Sequence, residues 1–182
     1  INLSLRTEHF DPIWSGNPFS PMTIFIDNAT WNFVGLEEGD EIGVFDGDNC
    51  VGAYVVPDGG FQANTNVQII TSKDDGSDNG FTEGNDIIFR VWRNSNQVDI
   101  DADINIFTDA GGNEIDAVFE SLLVPRAEIE VKAPSPPRNF NATAGSEQIT
   151  LTWNSPSTGD YMIYNYPDPG SSNAITFSIT RD

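Results

Sequence analysis

The chain is poor in the residues that most site chemistry requires. Its 182 residues include one cysteine, Cys50, and one histidine, His9. A single cysteine excludes an intrachain disulfide framework. A single histidine excludes a histidine metal cluster and leaves any Ser-His-Asp triad dependent on His9 alone. Cys50 lies in the apolar run NCVGAYVV and reads as a buried, inert thiol that says little about redox compartment. Basic residues are also scarce: 8 Lys+Arg against 28 Asp+Glu give a formal net charge of -20. Nucleic acids and anionic membranes both require basic surface, so neither is an expected partner. No stretch approaches the ~20 apolar residues of a membrane helix, and no membrane insertion is expected. No signal peptide opens the chain, and a start at Ile1 reads as a processed or trimmed form. Helical periodicity is nearly absent, and with it any phosphate-binding glycine loop that opens a helix.

What the chain has in quantity is strand. Ile1, Leu3 and Leu5 alternate with polar residues, and PMTIFID, EIGVFDG, CVGAYVV, NVQIITS, DIIFRVW and AEIEV are short β-branched or aromatic runs between Gly, Asp and Asn. In VDIDADINIF, Val98, Ile100, Ala102, Ile104 and Ile106 are expected on one face, and Asp99, Asp101, Asp103 and Asn105 on the other. DAVFESLLV reads as strand or irregular. Many short strands joined by tight turns predict an all-β chain, with an antiparallel β-sandwich over residues 1–131. KAPSPPRN marks a boundary, because Pro134, Pro136 and Pro137 cannot pair in a central strand; residues 132–138 are expected to be a stiff linker. Residues 139–182 then form a second domain.

FNATAGSEQITLTWNSPSTGDYMIYN, with its core tryptophan Trp153, resembles the opening strands of a fibronectin type III domain. A sandwich of that kind takes roughly seven strands and ~90–100 residues, and at most four fit here. The second domain is therefore expected to be an incomplete immunoglobulin- or fibronectin III-like sandwich. Half a sandwich exposes apolar surface and open edges. Either the chain is truncated or the missing strands arrive from elsewhere. The first segment, HFDPIWSGNPFSPMTIFIDNATW followed by GLEEGDEIGVFDGDNCVGAYVV and DNGFTEGNDIIFRVW, resembles a repeat of large secreted and cell-surface modular proteins of Bacteroidota-type bacteria. That resemblance implies a non-catalytic β-sandwich in an extracellular or cell-surface setting.

One phrase occurs twice. GLEEGDEIGVF (35–45) returns as GFTEGNDIIFRV (80–91), with Gly35, Glu38, Gly39 and Ile42 matched by Gly80, Glu83, Gly84 and Ile87. Glycine followed by Asp or Asn before an apolar run describes a turn that launches a strand. Two equivalent corners are expected, in preference to a catalytic pair formed by Glu38 and Glu83. No catalytic residue and no cofactor-binding residue is assigned, and the chain reads as a non-enzyme.

Calcium is the one ion its loops suggest, through Asp74, Asp75 and Asp78 in DDGSDNG, since Ca²⁺ takes 6–8 oxygens from flexible loops. Asp46 and Asp48 in FDGDN, and the run Asp99, Asp101 and Asp103, are weaker; a solvated acidic surface accounts for all three groups. Trp92 and Trp153 read as core, while Trp14 and Trp31, beside turns, could form a platform for polysaccharide. Asn2, Asn28 and Asn141 head N-x-[ST] sequons and are glycosylation candidates.

The expectation that follows is an extracellular, non-enzymatic structural or adhesive protein. It would form a surface filament or matrix as a homopolymer, with Ile1, Leu3 and Leu5 of one copy donated as a strand to the open second domain of the next. The alternative is a carbohydrate-binding or adhesion module of a larger secreted protein.

Overall fold

The computed structural model describes residues 8–133, 138–144, 148–154 and 177–180. Every regular element among them is a strand. The chain separates into two compact units, Ile1–Lys132 and Ala133–Asp182.

The first unit is one eight-stranded sheet: β1 (Met22–Trp31), β2 (Val34–Gly35), β3 (Glu41–Asp46), β4 (Asn49–Val55), β5 (Val67–Thr71), β6 (Ile88–Arg93), β7 (Val98–Thr108) and β8 (Arg126–Val131). The strands lie in the order β5-β1-β8-β7-β6-β3-β4, and β2 shares the outer side of β1 with β5. All pairings are antiparallel except β1 with β8, which is parallel. The sheet is thus mixed, which corrects the expectation of a purely antiparallel arrangement. A parallel pair needs a long crossover, and the intervening strands supply it.

Alternation in the sequence explains which face each strand buries, and bulges explain where it fails. β1 buries Met22, Ile24 and Ile26; a register shift between Ile26 and Asn28 makes Ala29 the next inward residue. In β7 the expected apolar face holds from Ile100 to Ile104. A shift between Ile104 and Ile106 then turns Phe107 inward and leaves Ile106 exposed. One extra residue inverts the facing of everything after it.

The sheet curls until its margins touch. A Cβ on Gly52 of β4 would lie 2.9 Å from Ile69 Cγ2 and 3.0 Å from the Ile70 carbonyl oxygen in β5. No side chain fits there, which is the reason for glycine inside CVGAYV. The core holds Ile24, Ile42, Val44, Ile69 and Phe89 from the strands, with Phe81 and Phe119 from the loops stacked 4.7 Å apart.

Two ladders fix where the chain joins this sheet. Glu41, opposite Trp92, begins β3 at the end where β7 starts at Val98. β8, with Glu130 opposite Asp103, runs toward that same end as it leaves past Val131. Because His9 is held by Glu41, the chain comes in and goes out at one end of the sheet.

In the second unit, β9 (Arg138–Ala144), β10 (Gln148–Asn154) and β11 (Phe177–Thr180) form an antiparallel sheet in the order β11-β10-β9. The donor positions Ile1, Leu3 and Leu5, the sequon Asn2, the prolines of the linker and the YMIYN segment lie outside the described residues.

Candidate functional site

Strand β3 is buried on both faces, which a sheet strand achieves only when something lies on its outer side. That cover is the stretch Glu8–Trp14. Glu41 is 1% exposed and its carboxylate accepts the His9 and Phe10 backbone N–H groups at 2.9 Å. Phe10 then drops into a socket lined by Phe45, Cys50 and Trp92. Its ring meets Phe45 edge-on at 5.3 Å. The floor of the socket is Gly43: a Cβ there would lie 2.9 Å from Phe10 Cδ2 and 2.5 Å from Phe45 Cε2. The His9 ring stacks on Trp92 at 4.9 Å, with 9° between planes. At the far end Ile13 N–H donates to the Cys50 carbonyl (2.9 Å) and the Trp14 indole N–H to the Val51 carbonyl (2.7 Å), covering the outer edge of β4.

The doubled phrase forms two matching corners. Gly39 N–H donates to the Val56 carbonyl and Val56 N–H returns to the Asp40 carbonyl; Gly84 and Phe119 repeat the exchange, with Asn85 in place of Asp40. Asp40 N–H bonds the Glu37 carbonyl as Asn85 N–H bonds that of Thr82. Gly39 and Gly84 take φ of +81° and +84°, where glycine is unstrained. Leu36, Phe81, Ile42 and Ile87 are all buried. The corners differ in their acids. Asp40 is buried and accepts Glu37 N–H (2.8 Å) and Asn94 N–H (3.0 Å), and Arg93 pairs with Glu37 at 2.8 Å. Glu38 is exposed. Glu83 instead takes the Lys73 ammonium at 2.8 Å and both the N–H and the hydroxyl of Ser121.

These contacts hold the Glu83 carboxyl far below the ordinary 4.5, at about 2, with the Lys73 hydrogen bond the largest cause and Ser121 next. A carboxyl that stays ionised at neutral pH is the opposite of a poised general acid. A depressed folded-state value contributes stability that is present above about 4.5 and is lost as the pH falls through about 2. The pair is half exposed, so the contribution is small, about 1 kcal/mol or less. In thermal melts from pH 5 to pH 2, the gap between the wild-type chain and Glu83→Gln should close toward acid pH. A gap that stays constant would show the carboxylate to be energetically idle.

The other singled-out residues scatter. Asp74 Oδ1 accepts the N–H groups of Gly76, Ser77 and Asn79 at 3.0, 3.1 and 3.3 Å, and these bonds, led by Gly76, lower its carboxyl. Asp74 therefore ties its own turn, while Asp75 and Asp78 are exposed. Among the described residues no group of three or more His, Cys, Asp or Glu is placed to hold an ion. Asp46 accepts Thr82 N–H and the Asn85 side-chain amide, bracing the second corner. Trp14 is half-buried under its bond to Val51, and Arg93 covers Trp31 with its guanidinium 5.4 Å from the ring centre. Burial pushes the Cys50 thiol up to about 11, so it is unreactive at neutral pH. Asn28 is half-buried in β1 opposite Glu128, whereas Asn141 is exposed on β9. The Trp153 side chain lies outside the described residues.

Sequence reasoning singled out Glu38 and Glu83 and passed over Glu41 and Phe10. A signal was present: in EIGVF, Glu41 is in phase with Gly43 and Phe45, and an acid in phase with buried positions needs internal donors. Comparison with protein-family models, curated proteins and solved structures gives no match.

Proposed function

We propose that this is a non-enzymatic, extracellular structural or adhesive protein that assembles by adding a strand from one copy to the second unit of another. The observation that carries the proposal is the three-stranded sheet: among the described residues β9 and β11 each pair on one side only. Open strand edges are templates for further pairing. In the first unit, by contrast, β4 is covered by Glu8–Trp14 and meets β5. The donor is INLSLR, with Ile1, Leu3 and Leu5 on one face; the acceptor is a fibronectin III-like sandwich completed by that strand. The likeness of HFDPIWSGNP and GDEIGVFDG to repeats of surface proteins agrees with this location.

Removing residues 1–7 tests the reading. Wild-type chains should form polymers visible by electron microscopy, and the shortened chain should stay monomeric while the first unit melts unchanged. A net charge of -20 opposes self-association, so salt should promote polymers by screening. Polymers that persist after the deletion, or wild-type chains that remain monomers, would overturn the proposal.

A further inference from the structure

The socket that holds Phe10 has the construction of a peptide-binding site. Its components are the Glu41 carboxylate presented to two backbone N–H groups, the Gly43 floor, apolar walls from Phe45, Cys50 and Trp92, and the Cys50 and Val51 carbonyls at its far end. All of these belong to β3, β4 and β6, none of which adjoins Glu8–Trp14 in the chain. The occupant joins the body of the unit through residues 15–18, which contain Gly16 at φ +82° and Pro18 and reach at most about 14 Å when extended, because Phe19 is already held by Ser72 and Lys73.

We propose that this socket accepts the Glu8–Trp14 segment of a second copy of the chain, so that the first unit can exchange its cover between molecules. Every contact made within one chain is available between two, because the socket is complete without the connecting residues. Exchange of an identical element is a low-cost route to dimers, and with open geometry to longer chains. What opposes it is the high effective concentration of the tethered copy. Weakening the resident segment should therefore reveal the site.

The probe is a fluorescein-labelled peptide of residues 8–14, EHFDPIW, titrated against the full chain and read by anisotropy. Phe10→Ala in the chain loosens its own segment and leaves the socket intact, so this variant should bind the peptide at least about tenfold more tightly than the wild type does. Adding Gly43→Ala to Phe10→Ala should abolish binding by filling the floor. A folded Phe10→Ala chain that ignores the peptide overturns the proposal. If Phe10→Ala does not fold, deleting Gly16 and Asn17 from the otherwise wild-type chain shortens the connection and should favour dimers over monomers in light scattering; persistent monomers then overturn it. Both measurements are repeated on the chain lacking residues 1–7, so that donation by INLSLR contributes nothing to either readout. Failure here leaves strand donation by INLSLR standing, and failure of that donation leaves the socket standing.

Discussion

Gly80→Ala should remove much of the first unit's stability, whereas Gly35→Ala, the same change at the matching position of the other corner, should be close to neutral. A Cβ on Gly80 would lie 2.4 Å from the Lys73 carbonyl carbon and 2.5 Å from Asp74 N. Both are backbone atoms, so no rotamer change relieves the overlap. The Phe81 N–H bond to the Ser72 carbonyl (2.7 Å) and the Asp74 N–H bond to the Phe81 carbonyl (2.9 Å) hold the two segments at that spacing. The loss should be about 3 kcal/mol or more. At Gly35 the nearest atom to the added carbon is the Phe61 carbonyl oxygen, at 3.8 Å. That is ordinary contact, and the change should stay within about 0.5 kcal/mol. Urea unfolding of the two variants, compared by midpoint at constant slope, checks the contrast. Equal losses would show that the corners are bound by the same constraint.

Glu41→Ala should be the costliest change among the carboxylates of the doubled phrase, and Asp86→Ala, its counterpart, among the mildest. Glu41 is buried and receives two backbone N–H groups. Its removal strands both donors and loosens the cover over Phe45 and Trp92, for a loss of about 3 kcal/mol. Asp86 is exposed and its backbone pairs with Val118 as an isolated bridge, so truncating its side chain should cost within about 0.5 kcal/mol. Glu41→Gln keeps the volume and one acceptor and should fall between them. Limited proteolysis gives an independent reading: cleavage within Glu8–Trp14 should accelerate in Glu41→Ala well before the sheet unfolds. Protection unchanged from wild type would remove Glu41 as the anchor.

Most strands were legible because their information is local. MTIFID and VQIIT alternate cleanly, and the structure places Ile24, Ile26, Val67 and Ile69 inside as the pattern requires. The parallel pairing of β1 with β8 was not legible, since nothing near Ala29 names Ile129 as its partner. Bulges were equally silent: Ile106 and Phe107 are both apolar, and only the ladder decides which faces inward. The corner glycines could be read as turns from φ-permissive chemistry, yet their unequal crowding depends on neighbours far along the chain. For the same reason the site went unseen. HFDPIW shows no period, because it is neither helix nor ladder strand; its order comes from one buried acid and one hole left by a missing Cβ.

Because the chain comes in at His9 and goes out past Val131 at one end of the sheet, tension applied to the first unit acts across its strands at that end. The load reaches the Glu41 bonds and the last pairs of β8 first, and these can separate in succession without the whole ladder sliding at once. A body loaded this way should open in small steps rather than all at once, and its holding time under load should follow the local opening rate more than the total stability.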